Sequence, residues 1–469
     1  MEMNEMTSQH ERPNIVLVLW HDLGDWLGCY GYQPSPSPHA DALSRQGVRL
    51  TNYFSACPIC CPSRAAMLTG LLPHANGVNG QINRGWDLDR HISPLAQILR
   101  DEGYTTYLVG FSHACQDPTW EGFDNLQGGP DPEQPAKARA IFERHSQQTS
   151  DDSPFFLTLT TQAVHRPFGG DHNPGLVDQV SLPPYLPDLP AVREDVACLH
   201  HYIAQADDQL GQILTALDET GLTQETLFIF TTDHGAAFGR AKATLYDPGL
   251  KISFLARWPS VISPHSQIDA LLSNVDFTPT ILDLVGISHP QAETTFHGQS
   301  FAALLRHEPY HQHRAIYAEH TYGVMYYPAR AIRTERYKYI VNFRPNQPLI
   351  LEPHIITRCG EQMVNQYYSS PLPGEELYDL QEDPHEFYNL ANNLHYGQVR
   401  RDLRSQLFTY FRQSKDPLLD GPVPNPSGDH TPARTFERLW RQTDDGLYEI
   451  DLPPIWQNLP DQTATEKML

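Results

Sequence analysis

Basic charge is scarce in this chain. Lys and Arg number 33 against 56 Asp and Glu, a formal net charge of −23. That balance excludes a general nucleic-acid binder, which needs a basic face, and repels polyanions at long range. Long apolar runs are missing too: none approaches the length that spans a membrane. Met1 to Arg12 is polar and lacks the apolar stretch of a secretory signal, so a cytoplasmic protein is expected. Cysteine is thin: seven residues, an odd number, over 469 positions. This is no disulfide framework, and a reducing compartment follows. No internal repeat suggests a solenoid or propeller. What is present is a hydrophobic fraction of 40% with 10% aromatics, enough for a substantial core.

Four short apolar runs stand out: Ile15 to Trp20, Tyr104 to Gly110, Pro154 to Thr161 and Thr226 to Thr232. They are near-continuous rather than alternating, the pattern of strands covered on both faces in a parallel sheet. Helical spacing lies between them, at Leu95 to Glu102 and across Val192 to Leu217. Thr278-Pro279 ahead of Thr280 to Val285 reads as a capped helix start. Strands alternating with helices predict an α/β fold with a large, mostly parallel central sheet flanked by helices. Beyond about Arg330 the texture changes. Ala331 to Val341 reads as two β segments around a polar turn, Glu376 to Leu380 as a strand, and Val399 to Gln413 as a helix. The expected division is a catalytic domain over 13–330 and a smaller α+β subdomain with a Pro-rich tail over 331–469.

Ligands of open α/β sheets bind outside the carboxyl ends of the strands. Each apolar run delivers His or Asp there: His21-Asp22, His113, His165 and Asp233-His234. Any one histidine is more often a hydrogen-bonded structural residue; four exits of four favour one shared polar site. Two Asp with several His is a metal-site inventory. Carboxylates alone suit Ca²⁺ or Mg²⁺, whereas imidazole moves the preference toward Mn²⁺ or Zn²⁺.

Three of the cysteines, Cys57, Cys60 and Cys61, fall within five residues. Cys57 and Cys60 make a C-x-x-C, a redox pair or half a zinc knuckle, but no second C-x-x-C exists to complete one. Buried, inert thiols are a second reading. The third is the pattern Cys60-x-Pro62-Ser63-Arg64 running on to Leu68-Thr69-Gly70, with a helix expected over Ser63 to Leu68.

That pattern resembles the signature of the type I sulfatases, of the alkaline-phosphatase-like superfamily. The resemblance extends to the opening PNIVLVLWHDLG, to His165 in VHRP, to Asp233-His234-Gly235, to the run Lys242 to Gly249, and to Leu377-Tyr378-Asp379-Leu380 with Asp383-Pro384 and Asn389-Leu390. The texture is closest to the N-sulfoglucosamine sulfohydrolase branch. The resemblance implies that a formylglycine-generating enzyme converts Cys60 to formylglycine. The hydrated aldehyde would then attack sulfur at a divalent metal, form a covalent sulfo-enzyme and release sulfate. Six thiols would remain: Cys29, Cys57, Cys61, Cys115, Cys198 and Cys359.

The same resemblance implies metal ligands at His21, Asp22, Cys60, Asp233 and His234, with Ca²⁺ as the usual family metal. Arg64 and Lys242 would hold the modified side chain and the sulfate. His113 or His165 would be the general acid. Three positions depart from the family: His21 replaces an Asp, His234 an Asn, and Phe111 a Lys. The expected partner is a small sulfated sugar or aryl sulfate, with no nucleic acid and no membrane. A phosphate or phosphonate ester hydrolase is the alternative that Asp233-His234 motivates. A non-catalytic sulfate- or sugar-binding protein with unmodified Cys60 is the alternative from another class.

Overall fold

The computed structural model describes residues 12–147, 153–168, 174–288, 296–323, 326–345 and 371–426. Cys359 and the tail beyond 426, including the end of the expected Pro-rich loop, lie outside the described residues. The strands are β1 (Asn14–Trp20), β2 (Val48–Leu50), β3 (Tyr53–Phe54), β4 (Thr105–Val109), β5 (Asn125–Gln127), β6 (Phe155–Thr161), β7 (Thr226–Thr232), β8 (Phe254–Arg257), β9 (Ser266–Ile268), β10 (Leu272–Ser273), β11 (Ile316–Tyr322), β12 (Tyr326–Arg333), β13 (Tyr337–Asn342) and β14 (Glu375–Asp379). The main sheet has the order β5-β4-β6-β1-β7-β8-β2-β9. The four runs singled out in the sequence are β4, β6, β1 and β7, adjacent and parallel at its centre. Only β8 runs antiparallel to its neighbours.

The near-continuous apolar character of these strands has a direct cause. Side chains alternate between faces, and both faces are covered. In β1, Val16, Val18 and Trp20 enter one core, while Ile15, Leu17 and Leu19 enter the other. The long helix Pro190–Glu219 lays Val196, Leu199, Ile203, Leu210 and Leu217 on the first face. The Pro-rich segment ahead of it packs inward: Tyr185 and Leu186 join this core, and the Trp26 indole donates to the Tyr185 hydroxyl at 3.2 Å.

The helix Cys60–Thr69 lies buried over its whole length, with Cys61, Ala65, Met67 and Leu68 in the second core. It begins at Cys60, not at Ser63 as expected. Pro62 falls in its first turn, where the missing N–H needs no partner. Thr278 likewise lies inside a helix, Phe277–Leu284, rather than capping it. A short 3-10 turn, Asn274–Asp276, leads into that helix and frees the Thr278 hydroxyl to donate to the Met67 carbonyl at 2.7 Å.

The second sheet is antiparallel, in the order β11-β12-β13-β14, and the helix Gly397–Gln413 packs on it. It begins at Ile316, so the division expected at residue 330 falls inside β12. Hydrogen bonding of β11 to β12 carries the small unit back into the region assigned to the larger one.

A buried ionic clip ties the second sheet to the short helix Pro73–Asn76. Glu319 accepts from the His74 backbone N–H at 2.7 Å and meets the His74 ring at 2.6 Å. Arg330 clasps Asp416 at 2.6 and 3.0 Å and lies 3.9 Å from Glu319. Burial opposes the Glu319 charge, yet His74 and Arg330 hold its carboxyl down to about 2 from an ordinary 4.5. Such a group adds stability above pH 4.5, which is lost as the pH falls toward its folded value. Glu319→Ala should therefore cost about 3–5 kcal/mol, the usual range for breaking a buried pair. Urea midpoints recorded against pH check this: between about pH 4.5 and 2 the wild type should fall more steeply than Glu319→Gln.

Candidate functional site

The register of β1 on β7 builds the site. Trp20 pairs with Thr232, so the chain leaves both strands at the same level. The Asp233 N–H donates to the Trp20 carbonyl at 3.2 Å, and the Asp22 N–H donates to Asp233 Oδ1 at 2.9 Å. Asp22 takes φ +50°, a left-handed conformation that Asp tolerates better than most residues. Gly235 follows because nothing larger fits. A Cβ there would stand 1.9 Å from the Pro248 carbonyl oxygen.

Every sequence-predicted site residue comes to this place. His21, Asp22, Cys60, Asp233 and His234 are buried, and one ligand atom from each lies within 4.8 Å of the others. His234 Nε2 is 3.1 Å from Asp22 Oδ1 and 3.3 Å from Cys60 Sγ. The Lys242 ammonium donates to Asp22 Oδ2 at 2.6 Å. Arg64 Nε donates to Asp233 Oδ2 at 3.0 Å, while its Nη2 is buried with no hydrogen-bond partner among the described residues. His165 is half-buried, with Nε2 3.5 Å from Asp22 Oδ2, and its Nδ1 bonds the Arg166 carbonyl. His113 stands at the rim, with Nδ1 3.4 Å from His21 Nε2.

Charge balance sets the ionisation states. Burial opposes ionisation of Asp22, yet Lys242 above all, then His165 and His21, hold it well below the usual carboxylate range. Asp233 is also held down against burial, by His234, His21 and Arg64. The Cys60 thiol is lowered, with Lys242 and His21 outweighing burial. Burial, then Arg64 and His21, push His113 down to about 3, so it is neutral near pH 7.

Two contributors were not legible in the sequence, and a third, Phe111, shows there only as a departure from the family pattern. Phe111 lies under the Arg64 guanidinium at 4.9 Å and against the His113 ring at 4.6 Å. Glu121, buried, bonds the Ser112 hydroxyl and so braces the turn that carries His113, which has φ +64°. The Gln81 carboxamide touches both Cys60 and Cys61. Neither Glu121 nor Gln81 follows one of the four strands or sits in a motif, so strand-exit reasoning passes over them.

The donor set fits a divalent cation: two buried ionised carboxylates, two imidazoles and a thiol position converge on one point. A charged site at the carboxyl ends of a parallel sheet, with two cations beside Cys60, is built for an anionic ester.

Comparison with known proteins specifies which. The sulfatase family model matches residues 13–287, and a model of the N-sulphoglucosamine sulphohydrolase C-terminal region matches 238–350. An ulvan-active sulfatase of Formosa agariphila is 31% identical, over 92% of this chain and 89% of that protein. The human N-sulphoglucosamine sulphohydrolase is 28% identical, over 87% and 92%. A structure solved in complex with its substrate D-glucosamine-2-N,6-O-disulfate superposes with a TM-score of 0.66 at 19% identity, over 86% of this chain and 98% of that one. The protein is thus a hydrolase of sulfuric esters. It belongs to the sulfatase family. No helix among the described residues is long and apolar enough to cross a membrane.

Metal titration followed by thermal unfolding tests the cluster. A bound cation adds about 2.7 kcal/mol at a hundred times its dissociation constant. The wild type should gain melting temperature with a divalent metal, and Asp22→Ala and Asp233→Ala should lose that gain.

Proposed function

We propose that the protein hydrolyses a sulfate ester or sulfamate on a small sulfated sugar, of N-sulfoglucosamine type, with Cys60 in its formylglycine form as nucleophile. The observation that carries this is the setting of Cys60. It is buried in the first turn of its helix, beside His234 and among the donors that fit a metal, and it opens the Cys60-x-Pro62-Ser63-Arg64 pattern. The match to an N-sulphoglucosamine sulphohydrolase C-terminal model and the names of the relatives support the substrate class. A net charge of −23 favours a small substrate over a long sulfated polymer.

Formylglycine supplies a hydrated aldehyde: one hydroxyl attacks sulfur, and the other expels sulfate by restoring the aldehyde. A divalent cation held by His21, Asp22, Asp233, His234 and the modified Cys60 supplies charge stabilisation. Ca²⁺ is the family expectation, and the two imidazoles favour Mn²⁺ or Zn²⁺. Arg64 and Lys242 bind and orient the sulfate oxygens; the unpaired Arg64 Nη2 supports that role. His113 or His165 gives a proton to the departing oxygen or nitrogen. A formylglycine-generating enzyme is the maturation partner.

The test is a mass measurement on the peptide containing Cys60, from protein produced with a formylglycine-generating enzyme. Conversion with aryl sulfate or N-sulfoglucosamine turnover is expected, and Cys60→Ser should lose about three orders of magnitude of activity while still folding. An unmodified thiol in active protein, or phosphate turnover well above sulfate turnover, overturns the reading. The acting acid is the histidine whose Ala variant loses alkyl sulfates more than aryl sulfates, because the poorer leaving group needs the proton.

A further inference from the structure

The mechanism leaves Cys57 and Cys61 of the cysteine cluster unused, and Cys61 is the one bonded to a side chain that also reaches Cys60. Cys61 points away from the metal-type donors, and its S–H donates to Gln81 Oε1 at 2.7 Å. That bond orients the carboxamide: with the oxygen on Cys61, the Gln81 NH₂ faces Cys60 Sγ at 3.9 Å.

The segment that carries Gln81 is pinned. Gly80 lets the backbone pass the Trp86 indole, where a Cβ would come within 2.5 Å of Nε1. The Gln81 carbonyl accepts the Arg84 N–H at 2.9 Å, and the Ile82 carbonyl accepts the Gln116 amide at 3.3 Å. A neutral donor is thus held against the side of Cys60. The two cations near this point, Lys242 and Arg64, already bond carboxylates.

We propose that Gln81 is a further catalytic residue, whose N–H donates to an oxygen of the sulfuryl group in reaction at residue 60, and that Cys61 is its positioning residue. This rests on the sulfatase reading of Cys60. Being neutral, Gln81 adds a hydrogen bond without disturbing the charge balance of the buried cluster. A preorganised donor of this kind strengthens as charge moves onto the sulfuryl oxygens.

The experiment compares wild type, Gln81→Leu, Gln81→Glu, Cys61→Ala and Cys61→Ser, each normalised to its formylglycine content by mass. The readouts are kcat/KM on an aryl sulfate and protection of melting temperature by inorganic sulfate. Gln81→Leu and Gln81→Glu should lower kcat/KM by about 10-fold to 100-fold and weaken sulfate protection. Cys61→Ala should show a smaller loss in kcat, and Cys61→Ser, whose hydroxyl also donates, should restore it. Unchanged kcat/KM and sulfate protection in both Gln81 variants overturn the proposal while leaving the sulfatase reading intact. If formylglycine-bearing wild type turns over no sulfate ester, the sulfatase reading fails. Sulfate protection then decides for Gln81: its loss in Gln81→Leu supports the contact, and its retention overturns it.

Discussion

A carboxylate buried as fully as Asp22 must find its counter-charge inside the protein, and the rest of the site is arranged around that need. An ion removed from water costs several kcal/mol unless its partners are close and well directed. Here Lys242 reaches one oxygen, and His234 and His21 reach the other. Asp233 repeats the arrangement with Arg64 and the Asp22 N–H. The partners come from separate parts of the chain: the exits of β1 and β7, the helix Cys60–Thr69 and the loop before Asp247. No one of these can shift without stranding a charge, so the electrostatics and the tertiary fold hold each other in place.

The same constraint bears on three of the eight non-glycine residues with positive φ among the described residues. Asp22, His113 and Ala243 all have positive φ without being glycine. Each such residue costs of order 1–3 kcal/mol and persists only where its surroundings over-determine it. Asp22 is held by its N–H on Asp233, His113 by the Ser112–Glu121 brace, and Ala243 by its N–H on the Pro58 carbonyl at 3.0 Å. All three sit at or beside a residue of the site. The interior of the parallel sheet, which only has to pack, contains none.

Much of this was legible in the sequence because it rests on local patterns. Strands covered on both faces must be apolar at every position, so β1, β4, β6 and β7 announce themselves, and their exits name His21, Asp22, His113, His165, Asp233 and His234. Short strands such as β2, β3, β9 and β10 were not legible, because two or three residues carry no period and their pairing is decided by tertiary contacts. The start of the helix at Cys60 was misread because Pro62 looks like a boundary, when a first-turn proline is compatible with helix. Gln81 and Glu121 act through contacts that no motif or strand-exit spacing encodes.

Two departures from the family pattern meet in the fold. The resemblance implies an Asp where His21 stands and a Lys where Phe111 stands. In the fold the two rings are neighbours, 5.7 Å between centroids. The two rings lie tilted at 33° to one another, so the pair meets through an aromatic contact. Phe111 still serves the anion site, because its face supports the Arg64 guanidinium. Two imidazoles beside two carboxylates make a softer donor set than carboxylates alone, which bears on which divalent cation the cluster would hold.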